Sequence, residues 1–104
     1  MRLKYATPAM IDMDCIAEVL QTSSPRSTLR FLGAVEKTGE FLLTFPEAGV
    51  LFESSEIELQ GLRVCTVTGY EKYLIFYRVG EDDVRITRII HGHRNIPETL
   101  KNGI

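Results

Sequence analysis

Two histidines and an arginine fall within four residues of one another at His91, His93 and Arg94. An imidazole titrates near neutrality and can give or take a proton. A guanidinium can hold a carboxylate or phosphate through two parallel hydrogen bonds. Arg63, Arg78, Arg85, Arg88 and Arg94 could form a cationic surface for a phosphate or an acidic protein. Together Arg63, Arg78, Arg88, His91, His93 and Arg94 are the candidate binding residues for a target. The bland alternative is a set of strand arginines in weak surface pairs, and Arg85 reads that way. His-x-His can ligate zinc, but a site needs two more ligands and no cluster supplies them. No metal and no cofactor is therefore expected.

Charge distribution bears on the same residues. The chain has 104 residues and a net charge of −2, which argues against a general nucleic-acid binder. Residues 1–61 sum to −4 and residues 62–104 to +2, so an anionic partner is expected at the C-terminal part. Acidic residues are absent from Val84 to Asn95. The two cysteines, Cys15 and Cys65, are too few for a disulfide scaffold and read as free buried thiols. No signal peptide or membrane span is legible, so the expected compartment is the cytoplasm, and the expected organisation is one domain over residues 1–104.

These residues need elements to position them. Arg2 to Ala6 is a candidate strand. Thr7-Pro8 reads as an N-cap with proline in the first turn, opening a helix that runs to about Gln21 on the spacing of Ala9, Met13, Ile16, Ala17 and Leu20, with Asp12 on another face. Ser24-Pro25 repeats the signal and starts a second helix, which Pro46 ends. So short a link makes an antiparallel helical hairpin. Glu47 to Gly61 reads as a long surface loop with four glutamates.

The remainder reads as β: Leu62–Val67, Tyr73–Val79 and Val84–Ile90, separated by turns at 68–71 and 80–83, with a last helical turn at Ile96–Leu100. Strict alternation would put Tyr73, Ile75, Tyr77 and Val79 on one face and Leu74 and Phe76 on the other. In the next strand it would set Val84, Ile86 and Ile90 against Thr87 and Ile89. Both sheet faces are then apolar, and one helical hairpin covers only one of them. Either the C-terminal segment or a partner must cover the second.

The blocks Gly61-Leu62-Arg63, Tyr73-Leu74-Ile75-Phe76-Tyr77-Arg78-Val79 and Ile86-Thr87-Arg88-Ile89-Ile90-His91-Gly92-His93-Arg94-Asn95-Ile96-Pro97 resemble the C-terminal half of ParE-type toxins in the RelE/ParE superfamily. The Phe45-Pro46-Glu47-Ala48-Gly49 element is similar to that family's ending of helix two. The resemblance implies an α+β fold: an N-terminal strand, a helical hairpin on a twisted, mainly antiparallel sheet, and a short C-terminal helical turn. It implies a toxin of a type II toxin–antitoxin module, held by a ParD-like antitoxin that would cover the second face at Leu74, Phe76, Thr87 and Ile89.

ParE-like members poison DNA gyrase and inhibit growth by binding. RelE-like members are ribosome-dependent mRNA endoribonucleases. Where the better-known nucleases carry an arginine in the third strand, this chain carries Leu74, which can neither neutralise a phosphate nor donate a hydrogen bond. No tyrosine follows Tyr77 to serve as acid or base. The expectation is a gyrase-inhibiting toxin that is not an enzyme. The alternatives are a RelE-type endoribonuclease, for which the resemblance implies His91, His93 and Arg94 as the catalytic set, and an inactive toxin that only binds its antitoxin.

Overall fold

The computed structural model describes residues 1–92 and 96–103. The chain runs β1 (Arg2–Tyr5), α1 (Thr7–Gln21), α2 (Pro25–Thr44), β2 (Val50–Leu51), a 3-10 turn at Ile57–Leu59, β3 (Arg63–Val67), β4 (Tyr70–Val79), β5 (Asp83–His91) and α3 (Ile96–Gly103). The five strands form one sheet in the order β1-β5-β4-β3-β2. β1 lies parallel to β5, and the other neighbours are antiparallel. This is the α+β architecture the sequence predicts.

The helical hairpin forms where its start signals stand. Ser24 caps α2, its Oγ accepting from the Arg26 N–H at 3.2 Å, and Pro25 opens the first turn. For α1 the cap is Ala6, with no side-chain hydrogen bond, and Thr7 is already helical. The expected threonine cap is thus shifted by one residue. α2 crosses β1 at Gly39, where a Cβ would lie 2.5 Å from Leu3 Cδ2. The glycine inside the helix permits that close approach.

The main core lies between the hairpin and the sheet. Phe31, Val35 and Leu42 of α2 meet Ile75, Tyr77, Val84, Ile86 and Ile89. Phe31 makes edge-to-face contacts with Tyr70 and Tyr73, at 5.3 and 5.1 Å between centroids. Two expectations fail here. Cys15 is exposed, because it faces away from this core, while Cys65 is partly buried; both are free. The strict alternation in β5 also fails. Its pairing with β4 jumps from Phe76↔Arg88 to Tyr77↔Ile86, leaving Thr87 as an extra residue in a bulge. The Thr87 hydroxyl donates to the Phe76 carbonyl at 3.0 Å. Beyond the bulge the phase is reversed, so Ile89 joins the helix-side core and Ile90 points to the second face.

That second face is covered by the chain itself. Leu59 from the 3-10 turn, Leu62 just before β3, Leu100 from α3, and Phe76 and Ile90 from the sheet form a second buried cluster, with Phe52, Val64, Leu74 and Ile96 packed on it. The stretch read as a surface loop therefore contributes a strand, a helical turn and one fully buried leucine, Leu59. It shows no period because Phe52 and Leu59 turn into this cluster while Val50, Leu51 and Ile57 stay exposed.

Candidate functional site

The candidate arginines divide by what they hold. Arg63, on the helix side of β3, donates from Nη1 to the Gly49 carbonyl at 2.8 Å and the Glu47 carbonyl at 3.4 Å. Arg78, on the opposite face of β4, donates to the carbonyls of Gln60 and Glu58. Between them they fasten both ends of the segment joining α2 to β3. Arg88 lies on β5 beside the bulge and is buried. Its Nε and Nη2 meet Asp12 Oδ2 and Oδ1 at 2.7 and 2.9 Å, and its Nη1 donates to the Thr99 carbonyl at 2.9 Å. The hydrogen bonds it donates to Asp12 hold the Arg88 guanidinium further above its ordinary pKa, against the lowering effect of burial. Arg85 is exposed, as the sequence suggests.

Asp12 is the residue sequence reasoning missed. It lies three residues after Ala9 and four before Ile16, so it borders the buried stripe of α1 rather than another face. Besides holding Arg88, its Oδ2 accepts the backbone N–H of Ile89 at 2.9 Å. β1 pairs with β5 only as far as Ile86. Asp12 therefore replaces the missing strand as acceptor at the open edge of β5.

His91 ends β5 opposite Tyr73, with the two rings edge to face at 5.1 Å. It borders a groove of about 200 Å³ that Asp12, Cys15, Val19 and Ile89 also line. Among the described residues no group of three metal-ligating side chains occurs. His93 and Arg94 lie outside the described residues.

Tyr77 serves the scaffold. Its hydroxyl donates to the Pro46 carbonyl at 2.7 Å and accepts the Gly49 N–H at 2.9 Å. Burial pushes this phenol above its ordinary pKa, and the Gly49 hydrogen bond partly offsets the rise. A Cβ at Gly49 would lie 2.6 Å from that hydroxyl and 2.9 Å from the Val64 carbonyl. The turn after α2 is thus closed around one oxygen.

The residues expected to meet an antitoxin do not share an open face. Phe76, Thr87 and Ile89 are buried within the chain, and Leu74 is half-buried. Ile89 is on the helix side and Thr87 in the bulge, because the phase reversal separates residues that alternation would group. Open apolar surface lies elsewhere. One groove, of about 630 Å³, runs along α2 past Arg30, Gly33, Ala34, Lys37 and Phe41 to Thr68. A second, of about 840 Å³, continues from Phe41 past Thr44 and Phe45 to Met1 and Val79. The Phe41 and Phe45 rings are 5.2 Å apart, and both are more than half exposed.

Comparison with known proteins accords with this architecture. Residues 3–96 match the family model described as the ParE toxin of the type II toxin–antitoxin system parDE. Among solved structures, a chain of the chromosomal ParDE TA system from P. aeruginosa is similar in fold, with a TM-score of 0.70 at 22% identity over 88% of this chain and 95% of that one. No curated protein matches the sequence.

Proposed function

The chain belongs to the ParE toxin family of type II toxin–antitoxin systems, and from that premise we propose that it acts by binding: it engages DNA gyrase in the cytoplasm, stops replication, and is neutralised by a ParD-like antitoxin. The observation that carries the mechanism is the filled second sheet face. An RNA-cleaving toxin needs cations and an acid/base group converging on an open surface, where they can act on a 2′-oxygen and its neighbouring phosphate. Here Leu59, Leu62 and Leu100 pack over Phe76 and Ile90, and Leu74 stands where the better-known nucleases carry an arginine. Arg63, Arg78 and Arg88 are engaged by the chain's own carbonyls and by Asp12. Contact with the target falls in this reading to the segment around His91, His93 and Arg94.

The test is supercoiling by purified gyrase with the chain added. Inhibition of supercoiling, with translation unaffected, is the expected result. Untouched supercoiling together with cleavage of ribosome-bound mRNA would transfer the assignment to the nuclease class, with His91 or His93 as acid/base. Inactivity in both assays, with antitoxin binding intact, would mark a toxin that has lost its target.

A further inference from the structure

We propose that the open end of the second sheet face is a contact surface for the phosphate backbone of duplex DNA, carried by Lys4, Arg85 and Arg78. This goes beyond the gyrase reading and rests on it for the source of the phosphates, since the duplex that gyrase supercoils is the nucleic acid such a toxin meets.

Strand register brings the three side chains together. Lys4 of β1 pairs with Arg85 of β5, and Arg85 pairs with Arg78 of β4. Leu3 and Tyr5 beside Lys4, and Val84 and Ile86 beside Arg85, point into the core under the hairpin. Neighbouring residues of a strand alternate between faces, so Lys4, Arg85 and Arg78 stand side by side on the other face. At the spacing of strands the row is ~10 Å from end to end. The cover over Phe76 and Ile90 stops short of it, and Lys4 and Arg85 are exposed. His91 lies about 20 Å away along β5 at the strand rise, so the row is separate from the segment assigned to gyrase itself.

The row keeps its charge. Arg78 donates to the Gln60 and Glu58 carbonyls, which bear no net charge. Among the described residues Arg85 forms no hydrogen bond through its side chain and no ion pair. Lys4 meets Asp83 at 3.3 Å, with the two side chains 48% and 24% exposed. A pair so open to water is weak, and an incoming phosphate can replace its carboxylate. Arg78 and Arg85 are direct partners across the ladder, and like charges so placed weaken a sheet. Arg85 brings the chain no contact in return for that repulsion.

Composition selects the occupant. A protein–protein interface has an apolar, often aromatic, centre. The exposed apolar residues at this end of the strands, Met1 and Val79, line the groove at Phe41 and Phe45 on the hairpin side instead. A second copy of this chain is a poor fit, because a two-fold interface is self-complementary and would set cation against cation. A cationic patch without an apolar centre suits a polyanion, and nucleic-acid interfaces are the more strongly positive kind. Phosphates repeat along the backbone, so each cation finds a partner whatever the base sequence. The net charge of −2 confines the contact to this row, which makes it weak by itself and sensitive to salt. It adds to the hold on gyrase rather than replacing it.

The experiment titrates a short labelled DNA duplex of mixed sequence with the purified full chain at low salt, reads fluorescence anisotropy, and runs the gyrase supercoiling assay on the same proteins. It compares the parent with Arg85→Glu, Arg85→Lys and Arg26→Glu. Arg26 is an exposed cation of α2, in the hairpin layer, and its reversal changes the net charge as much as that of Arg85. The logarithm of the parent's affinity should fall against that of salt with a slope of about −2.7, the value for three phosphate contacts. Arg85→Glu should weaken binding about tenfold and flatten that slope by about one. It should melt no earlier than the parent, because it removes the repulsion with Arg78. Arg85→Lys should keep most of the affinity, and Arg26→Glu should lose less than about twofold. Equal losses in Arg85→Glu and Arg26→Glu would overturn the proposal, since net charge alone would then account for binding. Failure of the parent to bind the duplex would overturn it too, and inhibition of supercoiling by that parent would leave the gyrase reading standing. An Arg85→Glu variant that binds the duplex like the parent but no longer inhibits gyrase would assign the row to an acidic protein surface instead. Duplex binding that depends on Arg85 in a chain without effect on gyrase would uphold the surface and remove the gyrase reading.

Discussion

Asp12 of α1 and Arg88 of β5, 76 residues apart in sequence, form a two-pronged ion pair with Nε–Oδ2 and Nη2–Oδ1 distances of 2.7 and 2.9 Å. Their side chains are 12% and 10% exposed. The same carboxylate holds the Ile89 N–H, and the same guanidinium holds the Thr99 carbonyl. One pair thus joins α1, the bulged part of β5 and α3.

Removing one partner should cost more than removing both. Arg88→Met strands a carboxylate in a nearly dry site, which typically costs about 3–5 kcal/mol. Asp12→Leu strands the guanidinium at a similar penalty and also orphans the Ile89 N–H. In the double variant the unpaired charge is gone, so the summed single losses should exceed the double loss by at least about 1 kcal/mol. Urea unfolding of the four proteins measures the coupling, and strict additivity would show that the pair contributes nothing as a unit.

Tyr77→Phe should loosen the turn after α2 without emptying the core. It deletes the acceptor of the Gly49 N–H and the donor to the Pro46 carbonyl, for a loss of about 1–3 kcal/mol. Amide exchange should rise at Gly49 and at β2 while β4 and β5 stay protected. Gly49→Ala should cost more, because its Cβ would meet the Val64 carbonyl as well as the phenol. A backbone oxygen cannot swing aside as a side chain does.

The two thiols should separate by reagent and by pH. Near neutrality an alkylating reagent should modify the exposed Cys15 at once and Cys65 only on the timescale of opening. Burial pushes the Cys65 thiol up from 9.0 to about 11. In the unfolded chain it ionises near its ordinary value, so its contribution is complete below that value and is lost as pH rises between 9 and about 11. Across that window the stability of the parent should fall more steeply than that of Cys65→Val, as denaturant midpoints would show. Parallel curves would mean that the Cys65 environment does not favour the neutral thiol.

Much of the scaffold was legible because local rules carry it. Ser24-Pro25 starts α2 and Pro46 stops the helical pattern, since capping and proline sterics act within a few residues. The aromatic run Tyr73–Val79 specified a strand for the same reason. Asp12 carried a readable signal as well, in its spacing from Ala9 and Ile16, but a carboxylate at the border of an apolar stripe names no partner. Arg63 and Arg78 looked like surface cations because backbone carbonyls, their actual partners, are present at every residue and leave no mark in a sequence.

The sequence by itself determined the order of elements, the helical hairpin, the apolar character of both sheet faces and the family motif from Gly61 onward. Each of these depends on residue type and short-range spacing. Only the tertiary structure decided which face each residue of β5 serves, because the bulge at Thr87 reverses the phase and depends on the register with β4. It also decided that the segment from Phe52 to Leu62 and α3 close the second face, and that three of the candidate arginines hold the chain together. Those outcomes join residues far apart along the chain, and the free energy that selects them arises only when the whole molecule is packed.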